Sequence, residues 1–460
     1  MNVDTFYQNL NRRVTLVFVV LLFIGSSCVA IFTPPFQSPD EFEHITRAYL
    51  LGKGEIVLGA PVGQSSGGLI DTGLMRYMDA FSGLPFHADK KLTTSDTAAA
   101  NAIEWSGELG FRPALGMTYY FPGIYGVHTL GLKIGEWLKA SVAESYHLTR
   151  VLLLFVTCLI LYFAFSLYSP PVIVLALLVI PMSLFQFASA SLDGIATALA
   201  IFMISAFFRI LDQRESPKAG LFVLLMIAWL LIASSRLQLF SLILLPIALG
   251  ILTRRYWYIL SAGFGGLCII GWQFLMMKTV VDGRVNLGTT TGNIVLYYLQ
   301  NPVKLVSVLV ATVSDGERMR GYFSSFFGLL GWLDTPFIGK EYIYLLALTI
   351  LILLLSLNTR FASSNKFVTL MLVTCSLGSL AIVFFAMLVT WTPHPAKLID
   401  GVQGRYFLIP AILLGYALCD GWNKSQRPKQ TIVLIVTLFL GGYSLINTAL
   451  LVFNRYYSTV

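Results

Sequence analysis

Apolar runs of roughly 20 residues recur along almost the whole chain, and this repetition constrains the fold more than any other feature. A helix of that length rises about 30 Å, the thickness of a bilayer's hydrocarbon core. In lipid each backbone N–H and C=O must be satisfied within the protein, so each run is read as a helix. Of the 460 residues 56% are hydrophobic and 12% charged, against about 25% charged in a soluble domain. A water-soluble globular fold is thereby excluded. The expected fold class is an all-α membrane protein of about eleven transmembrane helices, built as one polytopic domain over residues 1–460.

The spacing predicts spans at Val14–Phe32, Val151–Tyr168, Val172–Phe187 and Ile195–Ile210. Four more follow at Leu221–Ala233, Leu239–Leu252, Tyr258–Phe274 and Tyr342–Leu357. The last three are Phe367–Val389, Phe407–Leu418 and Ile432–Leu451. Basic residues resist translocation, which sets the orientation. With Arg12 and Arg13 inside, the inner connections hold Arg209, Arg214 and Lys218, then Arg254 and Arg255, then Arg360 and Lys366, then Lys424, Arg427 and Lys429. Ser169-Pro170-Pro171 is the one uncharged inner turn, and Arg236 is the exception among the short outer ones. The N-terminus is then cytoplasmic and the C-terminus extracytoplasmic. The formal net charge of +8 belongs to this topology rather than to a nucleic-acid footprint. The first run has the basic flank of a signal peptide but no small-residue cleavage site before Pro34-Pro35, so it reads as a retained anchor.

Two long loops fall outside, residues 33–150 and 278–340, with a shorter one from Trp391 to Arg405. All five histidines, His44, His87, His128, His147 and His394, lie on that side without metal-ligand spacing. No cysteine lies in the long loops, so no disulfide framework is expected. Two loop segments read as amphipathic helices lying in the outer interface: Asp40–Leu51, with Asp40, Glu43, His44 and Arg47 on one face, and Pro122–Leu138. Trp272, Trp332 and Trp391 read as interfacial anchors, and Ser65-Ser66-Gly67-Gly68 as a flexible turn rather than a phosphate loop.

The densest polar stretch is Ser38-Pro39-Asp40-Glu41-Phe42-Glu43-His44-Ile45-Thr46-Arg47-Ala48. An acid at a helix N-terminus is stabilised by exposed amides and the helix dipole. Asp40 is therefore either a helix cap at the end of a solvated face or an ionised base. Asp193, in Ser191-Leu192-Asp193-Gly194, can likewise cap its own helix through exposed amides. Arg236 and Arg405, at span ends, either snorkel to lipid phosphates or bind a substrate.

A first span, an outer acidic motif opening a helix, a proline-containing second loop helix and a span beginning near Arg150 resemble the front end of the GT-C glycosyltransferases. More closely, Pro39-Asp40-Glu41-x-x-His44-x-x-Arg47-Ala48, Gly328-x-x-Gly331-Trp332-Leu333-Asp334-Thr335 and Gly401-Val402-Gln403-Gly404-Arg405-Tyr406 resemble a large family of bacterial membrane proteins catalogued as a domain of unknown function. The resemblance implies a GT-C-like architecture in the bacterial inner membrane. It implies transfer of a monosaccharide from a polyprenyl-phosphate carrier to a cell-envelope glycan or glycolipid, such as lipopolysaccharide O-antigen. Asp40 is then the general base, with Glu41 and His44 catalytic beside it. Arg405 and Arg47, then Arg150 and Arg236, are candidates for the phosphate, with Gln403, Tyr406 and Asp193 lining the substrate site. One acid stands where the resembled pattern often has two, so no metal set is supported and no cofactor is assigned, a divalent metal being left open. A flippase for lipid-linked sugars, and a glycan polymerase or ligase using Arg284, Arg318 and Arg320 of the second loop, are the alternatives.

Overall fold

The computed structural model describes residues 3–213, 219–357, 366–419 and 427–457, and the chain within them is mostly helical. Seven helices are long and apolar enough to cross a membrane. They are Arg13–Phe32, Val142–Leu167, Asp193–Asp212, Tyr256–Thr279, Gly339–Ser356, Lys366–Thr390 and Gln430–Tyr456. Three further expected spans coincide with the shorter apolar helices Ala219–Ser235, Leu237–Leu252 and Gly404–Leu418. The run over residues 172–187 forms two helices, Val172–Leu178 and Pro181–Phe187, with every residue buried. Irregular backbone at such a break survives in a membrane protein only where protein surrounds it. Here the Ser183 hydroxyl donates to the Leu177 carbonyl (2.7 Å). Among the described residues seven helices, or eight if the bent pair Thr291–Gln300 and Pro302–Ser314 counts as one span, have the length and composition of a full crossing, fewer than the eleven expected.

The core sits around Asp193–Asp212, whose apolar stretch is 72% buried, against 11% for the peripheral Gly339–Ser356. The Thr291–Gln300 and Pro302–Ser314 helices, expected only as outer loop, are apolar and meet at a 103° bend. Pro302 ends the first helix there, since proline lacks an N–H and disfavours helix at the residue before it. Of the expected inner charges, Arg214, Lys218, Arg360 and Lys424 lie outside the described residues, as do the side chains of Arg12, Arg427 and Lys429. Among the described residues no two cysteines form a disulfide.

The two long loops, residues 33–150 and 278–340, are stitched to each other. Gly67–Asp71 pairs antiparallel with Leu109–Pro113, a small departure from an all-α chain. Ser65 and Ser66, expected in a flexible turn, instead bind the second loop. The Ser66 amide donates to the Val281 carbonyl (2.8 Å), and Ser65 Oγ accepts from the Gly283 amide (3.0 Å). The three tryptophans read as lipid anchors also serve as stitches. Trp332 Nε1 donates to the Phe36 carbonyl (2.9 Å), Trp272 Nε1 to the Tyr119 carbonyl (3.0 Å), and Trp391 stacks under Arg284 (4.9 Å).

The Glu41–Gly52 helix does not present the expected split between a lipid-facing and a water-facing side. Glu41, Phe42 and the whole run from His44 to Leu50 are buried, because the hairpin and the neighbouring loop helix cover both faces. The second loop helix begins as a tight turn, Pro122–Tyr125, and continues as Gly126–Trp137. Its Leu130 and Trp137 are exposed, while Gly131 and Gly135 sit against Thr149 and Ser145 of Val142–Leu167. A Cβ at either glycine would collide with that helix, so the close approach requires small residues.

Candidate functional site

Four helix ends converge beneath the two long loops, and each brings one charged side chain. Asp40 precedes Glu41–Gly52 and Asp193 opens Asp193–Asp212. Arg236 follows Ala219–Ser235, and Arg405 opens Gly404–Leu418. They form one chain of ion pairs. Arg405 Nη2 donates to Asp40 Oδ2 (2.8 Å), Arg405 Nη1 to Asp193 Oδ2 (3.1 Å), and Arg236 Nη2 to Asp193 Oδ1. The Gln403 side-chain oxygen accepts from Arg405 Nε (2.6 Å).

The capping alternative fails for both acids. Asp40 occupies the N-cap position in the left-handed region (φ 66°) with no side-chain cap bond. A non-glycine residue adopts that backbone rarely, though Asp tolerates it better than most. Here it turns the carboxylate away from the helix amides and toward Arg405. Asp193 is the first helical residue rather than the cap, and its oxygens go to the two arginines.

Arg405 is aimed by its own motif. A Cβ at Gly404 would run into the Tyr322 carbonyl, so glycine lets this turn lie on the Gly316–Phe327 helix. The Gly404 amide then donates to Ser325 Oγ (2.7 Å). Upstream, Arg318 anchors the same loop by donating to Asp400 (2.7 Å) and to the Ile399 carbonyl (2.6 Å). Arg320 donates to its own helix at the Gly316 carbonyl (3.2 Å). Neither arginine lines the cleft.

A cleft of about 60 Å³ opens at Asp40, His44, Tyr120, Arg236, Gln238, Arg405 and Tyr406, with Met117, Val383, Ala386 and Met387 as an apolar wall. A smaller cavity of about 20 Å³ shares Arg236, Gln238, Arg405 and Tyr406 and is bounded by Met182, Gln186 and Asp193. The ion pairs thus stand between two hollows. Arg236 is 8% exposed and its Nε has no acceptor. Arg405 Nε, Nη1 and Nη2 each have one.

Three expected site residues lie elsewhere. Glu41 is fully buried: Oε1 accepts from the Tyr146 hydroxyl (2.6 Å) and the Ala190 amide (2.6 Å), and Oε2 from the Ser38 amide (3.2 Å). With its lone pairs so engaged it fastens the loop and faces no substrate. Arg47 donates to the carbonyls of Glu55 (3.0 Å) and Ile56 (2.5 Å). Arg150 donates to the Ala188 (2.9 Å) and Thr33 (3.0 Å) carbonyls, tying the end of the first span to the centre of the fold. His44, Gln403, Tyr406, Asp193, Arg236 and Arg405 do gather with Asp40.

Sequence reasoning missed Gln186, Gln238 and Tyr120. The two glutamines had a signal, since an amide inside an apolar run must face a partner or a cavity. Tyr120 had none. Glu43, one turn from Asp40, has its Oε2 sealed without a donor, and burial followed by the Asp40 charge pushes its pKa up to about 7. Burial pushes the Tyr120 hydroxyl up to about 12, so it remains a neutral donor at the cleft. Among the described residues no group of three His, Cys, Asp or Glu could hold a metal ion.

No curated protein and no solved structure matches the chain. Residues 22–414 match a family model described as "Predicted membrane protein (DUF2142)", a span that takes in Asp40, Asp193, Arg236 and Arg405. The chain is a membrane protein of the DUF2142 family.

Proposed function

We propose that this protein is a GT-C-type glycosyltransferase. It moves a monosaccharide from a polyprenyl-phosphate carrier to a cell-envelope glycan or glycolipid on the outer face of the bacterial inner membrane. One observation carries the proposal: a single cleft joins Asp40, of which only Oδ2 is hydrogen-bonded among the described residues, Arg236, whose Nε has no acceptor among them, and an apolar wall. Lipid-linked sugar chemistry needs those three together.

In the proposed step the acceptor hydroxyl attacks the anomeric carbon as the bond from that carbon to the phosphate oxygen breaks. The electron pair leaves with the polyprenyl phosphate, and the hydroxyl proton passes to Asp40. Asp40 Oδ2 is held by Arg405, while among the described residues Oδ1 has no hydrogen bond, and it is the atom that takes the proton. Such a base contributes about 10²–10⁴-fold. Charge growing on the phosphate is met by Arg236, whose Nε is unpaired. Arg405 becomes the group that positions Asp40 and Asp193 rather than the first phosphate ligand. The prenyl tail lies along Met117, Val383, Ala386 and Met387. With one carboxylate acting as base and none as nucleophile, the outcome is inversion.

A second reading, a transporter of lipid-linked sugars, is favoured by the break between Val172–Leu178 and Pro181–Phe187, whose second half gives Met182 and Gln186 to the smaller cavity. Broken helices beside a central site are a transporter feature. Mass spectrometry of envelope glycans with and without the protein separates the two. Loss of one sugar-sized unit supports the transferase; accumulation of an untranslocated lipid-linked sugar supports the transporter and overturns the first proposal.

A further inference from the structure

His44 has a role that depends on which of its nitrogens carries the proton, and its surroundings decide this. The ring lines the cleft beside Asp40, Arg236 and Arg405. On the other side its Nδ1 is 2.9 Å from the hydroxyl of Tyr125, the last residue of the Pro122–Tyr125 turn. Tyr125 is fully buried, and among the described residues its hydroxyl has no other hydrogen-bond partner.

Two arrangements satisfy the distance. If Nδ1–H donates to the tyrosine oxygen, the hydroxyl proton is left buried without an acceptor, which costs about 1–3 kcal/mol. If the hydroxyl donates to Nδ1, nothing is orphaned. A second feature favours the latter. The Arg47 guanidinium, whose buried Nε has no acceptor, acts electrostatically on Tyr125. A cation there draws the oxygen's lone pairs toward itself and leaves the proton pointing to His44.

We infer that the Tyr125 hydroxyl fixes His44 as the neutral Nε2–H tautomer, so that His44 presents an N–H donor, not a base, to the substrate oxygen in the cleft beside Asp40. Burial, then the charges of His128, Arg236 and Arg405, hold the ring well below the usual histidine range, which keeps it neutral at pH 7. His128, behind Tyr125, follows the same logic with a different partner. Its Nε2 donates to the Ala190 carbonyl (3.1 Å) and its Nδ1 has no partner. On the proposed function, on which this part rests, the oxygen facing His44 belongs to the carrier phosphate. A neutral donor there steadies growing negative charge without adding a cation to a site whose two aspartates and two arginines already balance. Tyr125 is the positioning residue.

The test is long-range proton–nitrogen NMR of the full-length, ¹⁵N-histidine-labelled protein in detergent micelles at pH 7. His44 is assigned by the signals lost in His44→Gln; should that variant not insert, replacing the other four histidines leaves His44 as the one remaining signal. A protonated Nε2 with a bare Nδ1, changing to a tautomer mixture in Tyr125→Phe, is the expected result. A protonated Nδ1, a doubly protonated ring, or a pattern indifferent to Tyr125→Phe would overturn the inference. Added undecaprenyl phosphate should shift the His44 Nε2 signal. If the tautomer is as expected and that shift is missing, the assignment of phosphate to this cleft fails while the tautomer stands.

Discussion

Two regions of this protein join aspartate to arginine within a sequence motif, and they do opposite things. At the cleft, Asp40, Arg405, Asp193 and Arg236 leave one carboxylate oxygen and one guanidinium N–H unused and border two hollows. At the far end of the C-terminal helix, Arg455 donates to Asp334 (3.2 Å) and to the Leu84 carbonyl (2.7 Å). Asp334 also accepts from the Phe86 amide (2.8 Å) and the Thr335 hydroxyl (2.9 Å). Lys91 completes the closure by donating to the Asn454 and Arg455 carbonyls (2.8 Å each). Neither the cleft at Asp40 nor the smaller cavity beside it is lined by that cluster. The Gly331-Trp332-Leu333-Asp334-Thr335 motif is thus a latch that holds the first loop to the C-terminal helix. Arg455 Nε, like Arg236 Nε, is left without an acceptor among the described residues, so an unused guanidinium N–H does not separate the two regions. The difference is that both Asp334 oxygens are engaged, whereas only one oxygen of Asp40 is, at the mouth of a cleft.

Variants at the two regions should fail differently. Arg405→Ala removes the residue that holds Asp40 and Asp193 and leaves two carboxylates facing each other across the cleft. Transfer should fall by about 10²-fold or more, read from turnover of labelled polyprenyl-phosphate sugar in membranes. Asp334→Ala should cost about 3–5 kcal/mol, because it strands a buried arginine. The expected signature is a lowered Tm with normal turnover per folded molecule; a loss of turnover without a loss of Tm would move Asp334 into the site. Arg236→Gln should weaken use of the carrier about 10- to 100-fold, by roughly the 1.5–3 kcal/mol of a charge-assisted hydrogen bond, seen as a raised KM for the donor.

The smallest effect expected is at Glu43. Its folded-state pKa of about 7 stands above the ordinary 4.5, so below pH 4.5 the carboxyl is protonated in both states. As pH rises through 4.5 to 7, the unfolded chain loses its proton first and stability is lost. Glu43→Gln should therefore raise Tm at pH 8 and leave it unchanged at pH 4.5. The ceiling is about 3 kcal/mol, lowered because the side chain is only partly enclosed. An equal gain at both pH values would mean that packing, not ionisation, is responsible.

Much of this was legible in the sequence, and the parts that were not share a cause. Hydrophobicity alone located the helical segments, but it could not tell a lipid-facing span from a buried one, so residues 172–187 read as one continuous helix when they form two short buried ones. Asp40, Asp193, Arg236 and Arg405 could be chosen because charge at the end of an apolar run must be accounted for. Glu41 and Arg47 were drawn into the site by sharing a motif with Asp40. What removes Glu41 is Tyr146 and Ala190, more than 100 residues away. What removes Arg47 is a pair of backbone carbonyls at residues 55 and 56. Helical spacing gives a face; it does not reveal what stands opposite that face.

The most direct check is Asp40→Asn, which keeps the shape and removes the charge and the basic oxygen. Membranes carrying this variant at wild-type abundance should bind labelled polyprenyl-phosphate sugar and transfer about 10²–10⁴-fold more slowly than wild type. Transfer at the wild-type rate would contradict the assignment of Asp40 as the base and leave the cleft without its chemistry.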